Sequence, residues 1–292
     1  MDSEEIMFSI VVPIFNDWHH VPALLASLGS QVDERFRFEA ILIDNGSDEI
    51  PALSSLPGWA KLLVCETPGS YAARNLGIQH SKAKFLAFTD ADCRPSPNWL
   101  REAFHCCVKE GSDTIIAGTI NLELPGCNKP SIFALYDHTL GFPQAQYVNR
   151  GYGATANLII PRNIFTKVGL FDSARFSGGD AEFCRRAVHA GTKVIYEPSV
   201  CVSHPCRATW KELANKARRV KGGQICNGNY STRLQYFVRS FVPPFQRLMR
   251  IIKSQDLSQT EKLRVCGVQV RLWLVELSEI WNLIILRRPR VR

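Results

Sequence analysis

The sequence predicts an α/β fold, a mostly parallel central sheet flanked by helices, with a helical extension at the C-terminal end. Short β-branched runs alternate with segments of helical periodicity over the first 110 residues. Polar clusters fall at the carboxyl ends of these runs, where open parallel sheets bind their ligands. From about Trp210 the chain turns helical and basic.

FSIVVPIF (8–15) reads as a buried strand, NDWHHVPALLASLGSQ as a helix and FEAILIDNGSD (38–48) as a second strand closing in turn residues, which together make a βαβ unit. KLLVCE (61–66) is a third strand, SYAARNLGIQHS a helix introduced by Pro68 and Gly69, and KFLAFTDAD the fourth strand. Further on, DTIIAGTINLEL (113–124) and YGATANLIIPR (152–162) read as strands, NIFTKVGLF as a short helix, and FSGGDAEFCRRAVHAG as a helix ending at Gly191. TKVIYEPSVCVSHP predicts two short strands around a turn.

The C-terminal part predicts a helix over KELANKARRVKGG, a break at VPPF (242–245) and a long final helix. In that last helix Lys262, Gln269 and Glu276 fall on one polar line and Arg264, Arg271 and Ser278 on the opposite one. Two apolar stripes remain, Val265, Val268, Leu272 and Val275 on one side and Val270, Trp273, Leu274, Leu277 and Trp281 on the other. Either neighbouring helices cover both stripes, or the second meets a membrane interface or another subunit. Arg271, Glu276 and Glu279 disfavour a membrane span.

At 292 residues, 46% of them hydrophobic, the chain has ample material for a large core. The acidic opening MDSEEIMF lacks the charged and apolar regions of a secretory signal, which predicts a cytoplasmic protein, peripheral on the membrane's cytoplasmic face if the tail binds it. Ten scattered cysteines then read as reduced, packed thiols, and CVSHPC (201–206) matches no zinc-ligand spacing. Charge divides sharply. Up to His204 there are 17 Lys and Arg against 22 Asp and Glu, net −5; from Pro205 onward there are 18 against 5, net +13. Such a tail attracts a polyanion: an anionic membrane, nucleic acid or a phosphorylated acceptor.

FLAFTDADCR (85–94) drives a buried strand into two carboxylates one residue apart, Asp90 and Asp92. Unpaired, they repel and resist desolvation, so a cation is expected there. Asn16 after the first strand, Asp44 to Asp48 after the second and Asp90 to Asp92 after the fourth should converge on one crevice.

VVPIFND, LIDNGSD, PGSYAARNLG, FTDADC, ATANLIIPR and GGDAEFCRR, in this order and spacing, resemble the family 2 inverting glycosyltransferases of the GT-A fold over residues 7–205. The resemblance implies a GT-A domain at 1–207, with a nucleotide-binding part at 1–110 and an acceptor part at 111–207, followed by a basic helical extension at 208–292. It implies a donor site formed by Pro13, Phe15, Asn16, Asp44, Arg74, Asp90, Ala91 and Asp92, with Asp44 at the base or ribose. Asn45 stands where the family often has a second carboxylate. The implied cation is Mn²⁺ or Mg²⁺, ligated by Asp92, with Asp90 nearer the ribose or a metal-bound water and His204 as third ligand. Asp180 aligns with the family's catalytic base, and Glu182 is the second candidate.

The implied activity is sugar transfer from a nucleotide-sugar donor, most simply UDP-linked, to a saccharide or lipid-linked acceptor, in surface polysaccharide or glycoconjugate synthesis. Lys216, Arg218, Arg219 and Lys221 form either a cationic lid over a diphosphate or a solvated helix face. A sugar nucleotidyltransferase is the neighbouring alternative, but VVPIFNDW lacks a glycine-rich phosphate loop. A non-catalytic sugar-nucleotide- or polysaccharide-binding subunit is another, and retention of Asp90, Asp92, Asp180 and His204 together argues against it. The C-terminal helices offer a surface for an anionic membrane or a homo-oligomer, whereas nucleic acid is disfavoured because no aromatic and basic recognition motif accompanies the charge.

Overall fold

The computed structural model describes residues 6–31, 33–51, 56–126 and 129–291. Cys127 and the opening MDSEE lie outside them. The first half of the chain forms β1 (Ile6–Ile14), a 3-10 turn (Trp18–His20), α1 (Val21–Gly29), β2 (Arg37–Asp44), β3 (Ala60–Val64), α2 (Ser70–His80), β4 (Phe85–Thr89), the two-residue β5 (Arg94–Pro95), α3 (Trp99–Glu110) and β6 (Thr114–Glu123). There follow α4 (Ile132–Leu140), α5 (Gln144–Val148), β7 (Asn157–Pro161), α6 (Arg162–Val168), α7 (Gly179–His189) and β8 (Lys193–Pro205). The chain closes with α8 (Trp210–Cys226), α9 (Tyr230–Ser240), α10 (Phe245–Lys253) and α11 (Gln259–Ile284).

The eight strands form one sheet in the order β3-β2-β1-β4-β7-β6-β8-β5. β1 to β4 pair in parallel, as their alternation with helices predicts. β7 pairs antiparallel with both β4 and β6, and β5 antiparallel with β8. The sheet is therefore mixed, with its parallel half formed by the N-terminal strands. β8 is one strand, where the sequence predicts two around a turn. Its Tyr196 hydroxyl lies 2.8 Å from Thr119 Oγ1, which also donates to the Pro198 carbonyl at 3.0 Å. These bonds to β6 carry the extended conformation through the EPS segment.

The chain divides into two compact units. The first comprises Met1–Asn121, Pro143–Ala174 and Gly179–His204. Its core includes Val11, Ile43, Leu86, Phe88, Leu158 and Phe183, all inaccessible to solvent. Helix α2 lies tight on the sheet because a Cβ on Gly77 would stand 2.6 Å from Val11 Cγ1. That close seat helps position Arg74 and Tyr71, three and six residues earlier on the helix.

The second unit comprises Leu122–Phe142, Arg175–Gly178 and Pro205–Arg292. It has its own core, built on Tyr136, Leu213, Ile251, Val265, Val268 and Leu272. Capping boxes start α8 (Thr209 with Glu212) and α11 (Ser258 with Glu261). The first stripe of α11 packs inward through Val265, Val268 and Leu272, while Val270, Leu274 and Trp281 of the second remain exposed. The polar line between them is partly buried and tied internally: Gln269 accepts from the Tyr136 hydroxyl at 2.8 Å, and the half-buried Glu276 pairs with Lys221 at 2.9 Å. Lys216 likewise pairs with Asp137 at 3.4 Å. Lys216 and Lys221 are thus internal ties of this unit, neither a lid nor a solvated face. Among the described residues no helix is long and apolar enough to cross a membrane, and the nine described cysteines are free thiols.

Candidate active site

The carboxyl ends of β1, β2 and β4 carry the predicted polar clusters, and side-chain hydrogen bonds join the first two. Asn16, held at φ 55°, exchanges hydrogen bonds with Asp48: its Nδ2 donates to Asp48 Oδ2 at 3.0 Å and its Oδ1 accepts from the Asp48 amide at 2.8 Å. An Asn tolerates this left-handed conformation better than most residues. Asp44 is buried, accepting from Trp18 Nε1 at 2.8 Å through one oxygen and from the Gly46 and Ser47 amides through the other. Burial pushes its carboxyl up, but these bonds outweigh it and hold the pKa below the ordinary value. Of the other predicted donor-site residues, Pro13 is half-buried, Phe15 exposed and Ala91 buried.

Asn45, the departure from the family pattern, is a hinge pin. Its Nδ2 donates to the Cys65 and Thr67 carbonyls, and its Oδ1 accepts from the Gly69 amide at 2.7 Å. A carboxylate could not donate to the two carbonyls. The amide therefore ties the end of β2 to the loop that launches α2, with Gly69 at φ 121° just before the helix.

Arg74 is buried at 4% exposure and donates to Asp90 Oδ1 at 2.6 Å. Its guanidinium carbon also lies 5.5 Å from the Tyr71 ring centroid. The Tyr71 hydroxyl donates to Asp180 Oδ1 at 3.2 Å, and the Ala181 amide donates to the same oxygen at 2.8 Å. Asp90 at the end of β4 and Asp180 at the start of α7 are thus joined through Arg74 and Tyr71. Burial pushes the Asp180 carboxyl above the ordinary carboxylate range, although the Ala181 amide, the Arg74 charge and the Tyr71 hydroxyl all favour its ionised form. Gly179 permits the approach, because a Cβ there would meet the Tyr71 ring at 2.7 Å. Glu182 stands apart from this string, paired with Arg186 at 2.7 Å one turn on.

On the other side of Asp90, Asp92 Oδ2 lies 3.3 Å from Nε2 of the buried His204. Sequence reasoning missed a second group. Among the described residues, Asp17, His19 and His20 are the set of three whose ligand atoms all lie within 4.8 Å of one another. Burial and the Asp92 and Asp90 charges push the Asp17 carboxyl up. The adjacent histidines in NDWHH were the available signal, hidden by their position inside a helix-like pattern. Arg94 approaches His20 Nδ1 at 3.5 Å, placing a positive charge beside that group.

The donor set fits a hard divalent cation. Asp44 is satisfied by its own loop and Asp90 is paired with Arg74, while the Asp17 and Asp92 carboxylates feel each other's charge and lie beside imidazoles. Oxygen with one or two imidazoles suits Mn²⁺, and Mg²⁺ less so.

The profile of "Glycosyl transferase family 2" matches residues 9–123, which contain the groups at the ends of β1, β2 and β4 together with Tyr71 and Arg74, but neither His204 nor the α7 residues around Asp180. The chain is 30% identical over 224 residues to "Glycosyltransferase AglE" of Haloferax volcanii, covering 74% of this chain and 72% of that one. Among solved structures it is similar to the mannosyltransferase PcManGT from Pyrobaculum calidifontis, in complex with GDP-Man and Mn²⁺ (TM-score 0.61, 12% identity, 98% of this chain and 89% of that one). It also resembles S. aureus TarS 1-349 in complex with UDP (TM-score 0.53, 14% identity, 95% and 92%). These likenesses show the GT-A fold. With the match to AglE across most of both chains, the protein belongs to the family 2 glycosyltransferases.

Proposed function

We propose that this glycosyltransferase is metal-dependent and inverting, and that it moves a sugar from a UDP-linked donor to a saccharide or lipid-linked acceptor. Its place would be surface polysaccharide or glycoconjugate synthesis at the cytoplasmic face of a membrane. The observation that carries the chemistry is the buried Arg74, which bonds Asp90 and, with Tyr71, links that strand-end carboxylate to Asp180. Donor-binding and base chemistry then occupy one continuous set of side chains.

Asp180 takes the proton from the acceptor hydroxyl as that oxygen bonds to the anomeric carbon, and the bond to the diphosphate breaks on the opposite face. A carboxylate raised by burial suits this role, and the Arg186 pairing of Glu182 favours Asp180 over it. Asp92 and His204 would hold Mn²⁺ or Mg²⁺, with Asp90 kept in place by Arg74 beside them. When bound, the cation neutralises charge growing on the leaving diphosphate. The UDP in the TarS structure and the GDP-Man and Mn²⁺ in the PcManGT structure support the donor class, and make a GDP-sugar the competing reading. The catalytic unit would be 1–207 and the extension 208–292.

The test is a screen of nucleotide sugars for transfer or hydrolysis with and without Mn²⁺. Asp92→Ala and Asp180→Ala should each reduce transfer by about 100-fold or more. Wild-type rates in both variants would refute the site assignment. UDP with Mn²⁺ should raise the melting temperature more than GDP with Mn²⁺, and the reverse ranking would reassign the base.

A further inference from the structure

We propose that α9 and α10 form a docking face for an anionic lipid bilayer, on which they lie flat without crossing it. This deepens the membrane placement above by naming the surface, and it stands independently of the transfer chemistry.

Among the described residues, fifteen of the twenty exposed large apolar side chains lie beyond residue 229. They are ordered. On α9 and its capping residue, Tyr230, Leu234, Val238 and Phe241 recur at i, i+4, i+8 and i+11, which is one face of a helix, and all four are exposed. On α10, Phe245, Met249 and Ile252 recur at i, i+4 and i+7 and are exposed as well, with Phe245 at 63%. The opposite side of each helix is already used: Ser240 and Ile251 are buried, and Ile251 belongs to the core of the second unit. These helices therefore carry a second apolar stripe that their own fold does not need. Apolar stripes of this extent, left in water, mark interaction surfaces.

The charge on the same helices selects the occupant. Residues 230–253 contain five Lys and Arg and no Asp or Glu. A second copy packed on this face by two-fold symmetry would set like charges against each other. An anionic headgroup layer instead complements them, at about 1 kcal/mol per basic residue near the surface. Arg247 pairs with Glu276 at 3.6 Å and Arg250 donates to the Leu140 carbonyl at 3.0 Å, so both are engaged on the inward side of α10, while Lys253, about 80° round the helix from Phe245, is the cation nearest its stripe. At 11 and 9 residues, α9 and α10 are far too short to span a bilayer. An amphipathic helix of that kind, apolar on one face and basic beside it, lies in the interface plane. The Pro243 and Pro244 break between them lets each helix present its own stripe. Helix α11 adds a further exposed line of Leu263, Val270, Leu274 and Trp281, ending near the basic RRPR segment, with an aromatic of the type that favours interfaces.

The test is flotation of the full chain with phosphatidylcholine vesicles, pure or containing roughly 30 mol % phosphatidylglycerol. The wild type should float with the anionic vesicles, remain mostly unbound with the neutral ones, and lose binding as salt rises. Phe245→Glu with Met249→Glu should lower binding about tenfold or more. Arg239→Gln with Lys253→Gln should erase the preference for anionic vesicles. Circular dichroism melting confirms that each variant is folded, and nucleotide-sugar hydrolysis in the double Glu variant separates loss of docking from loss of catalysis. Three results would overturn the proposal: wild type that ignores anionic vesicles at low salt, a double Glu variant that floats as well as wild type, or a dimer that this variant disperses while vesicles go unbound. The last would assign the face to a second copy.

Discussion

The Tyr71 hydroxyl sits where its loss can be read in a pH profile. Burial raises the Asp180 carboxyl, and the Ala181 amide, Arg74 and the Tyr71 hydroxyl each pull it back. A base must be ionised to act, so transfer falls as pH drops through the Asp180 pKa, giving an acid limb above the ordinary carboxylate range. Tyr71→Phe removes one donor to the ionised form, and the limb of kcat should move to higher pH. A limb that stays in place or moves to lower pH refutes the base assignment. The stability linkage has the matching sign: a carboxyl raised in the fold contributes stability below its unfolded pKa, and that contribution is lost as pH rises through the folded value. The residue scale is also where the sequence is least legible. Asp180 is readable from GGDAEF by resemblance, but its bond to Tyr71, 109 positions away, has no local signature. Asn45 shows the same limit, since it reads as a weakened nucleotide contact and is in fact a donor to two carbonyls.

At the scale of elements, β1, β2, β4, α1, α2 and α7 are legible because an apolar run or a helical repeat ends at a local stop, whereas α3, α4, α5 and α9 are not read from the sequence. The break at Pro243 and Pro244 and the end of α7 before Gly191 are such stops. What periodicity could not show was how polar positions in the basic helices are satisfied. Lys216 and Lys221 look solvated in NKARRVKGG, yet they bind Asp137 and Glu276, acids that lie 79 and 55 positions away. Asp137 on α4 has side-chain exposure of only 6% and also accepts from Arg207 Nη1 at 3.1 Å. Burial pushes its carboxyl up, but the Lys216 and Arg207 charges more than offset this and keep it ionised. Asp137→Ala should therefore cost about 3 kcal/mol, because it strands two cations in a largely buried site. A lowered denaturation midpoint, with Asp137→Asn falling between Ala and wild type, would show this; an unchanged midpoint for Asp137→Ala would mean the pair is dispensable. The stability from a depressed carboxyl is present above its unfolded pKa and fades as pH falls through the folded value.

For the molecule as a whole, the division of charge near residue 204 does mark a structural boundary, since the second unit takes up the chain again at Pro205. Charge does not reveal that Leu122–Phe142 belongs to the same unit. That segment's net charge is unremarkable, and its membership depends on packing that only the folded chain displays. Tyr136 of α4 is buried with Leu213, Ile251, Val265 and Leu272, and its hydroxyl bonds Gln269. The consequence concerns truncation. A chain ended at residue 207 keeps every residue of the proposed catalytic site, but it removes the helices that cover α4 and the Lys216 partner of Asp137. Exposing a side chain the size of Tyr136 forfeits about 2 kcal/mol, before its lost hydrogen bond is counted. The truncated chain should bind the dye ANS, melt at a lower temperature than the full chain and associate as concentration rises. A monomer at 1–207 with the full chain's melting temperature and no ANS signal would show that α4 needs no C-terminal cover and that the extension is a separable domain. Because Leu122–Phe142 belongs to the second unit and shares its core with the C-terminal helices, the opposite is expected.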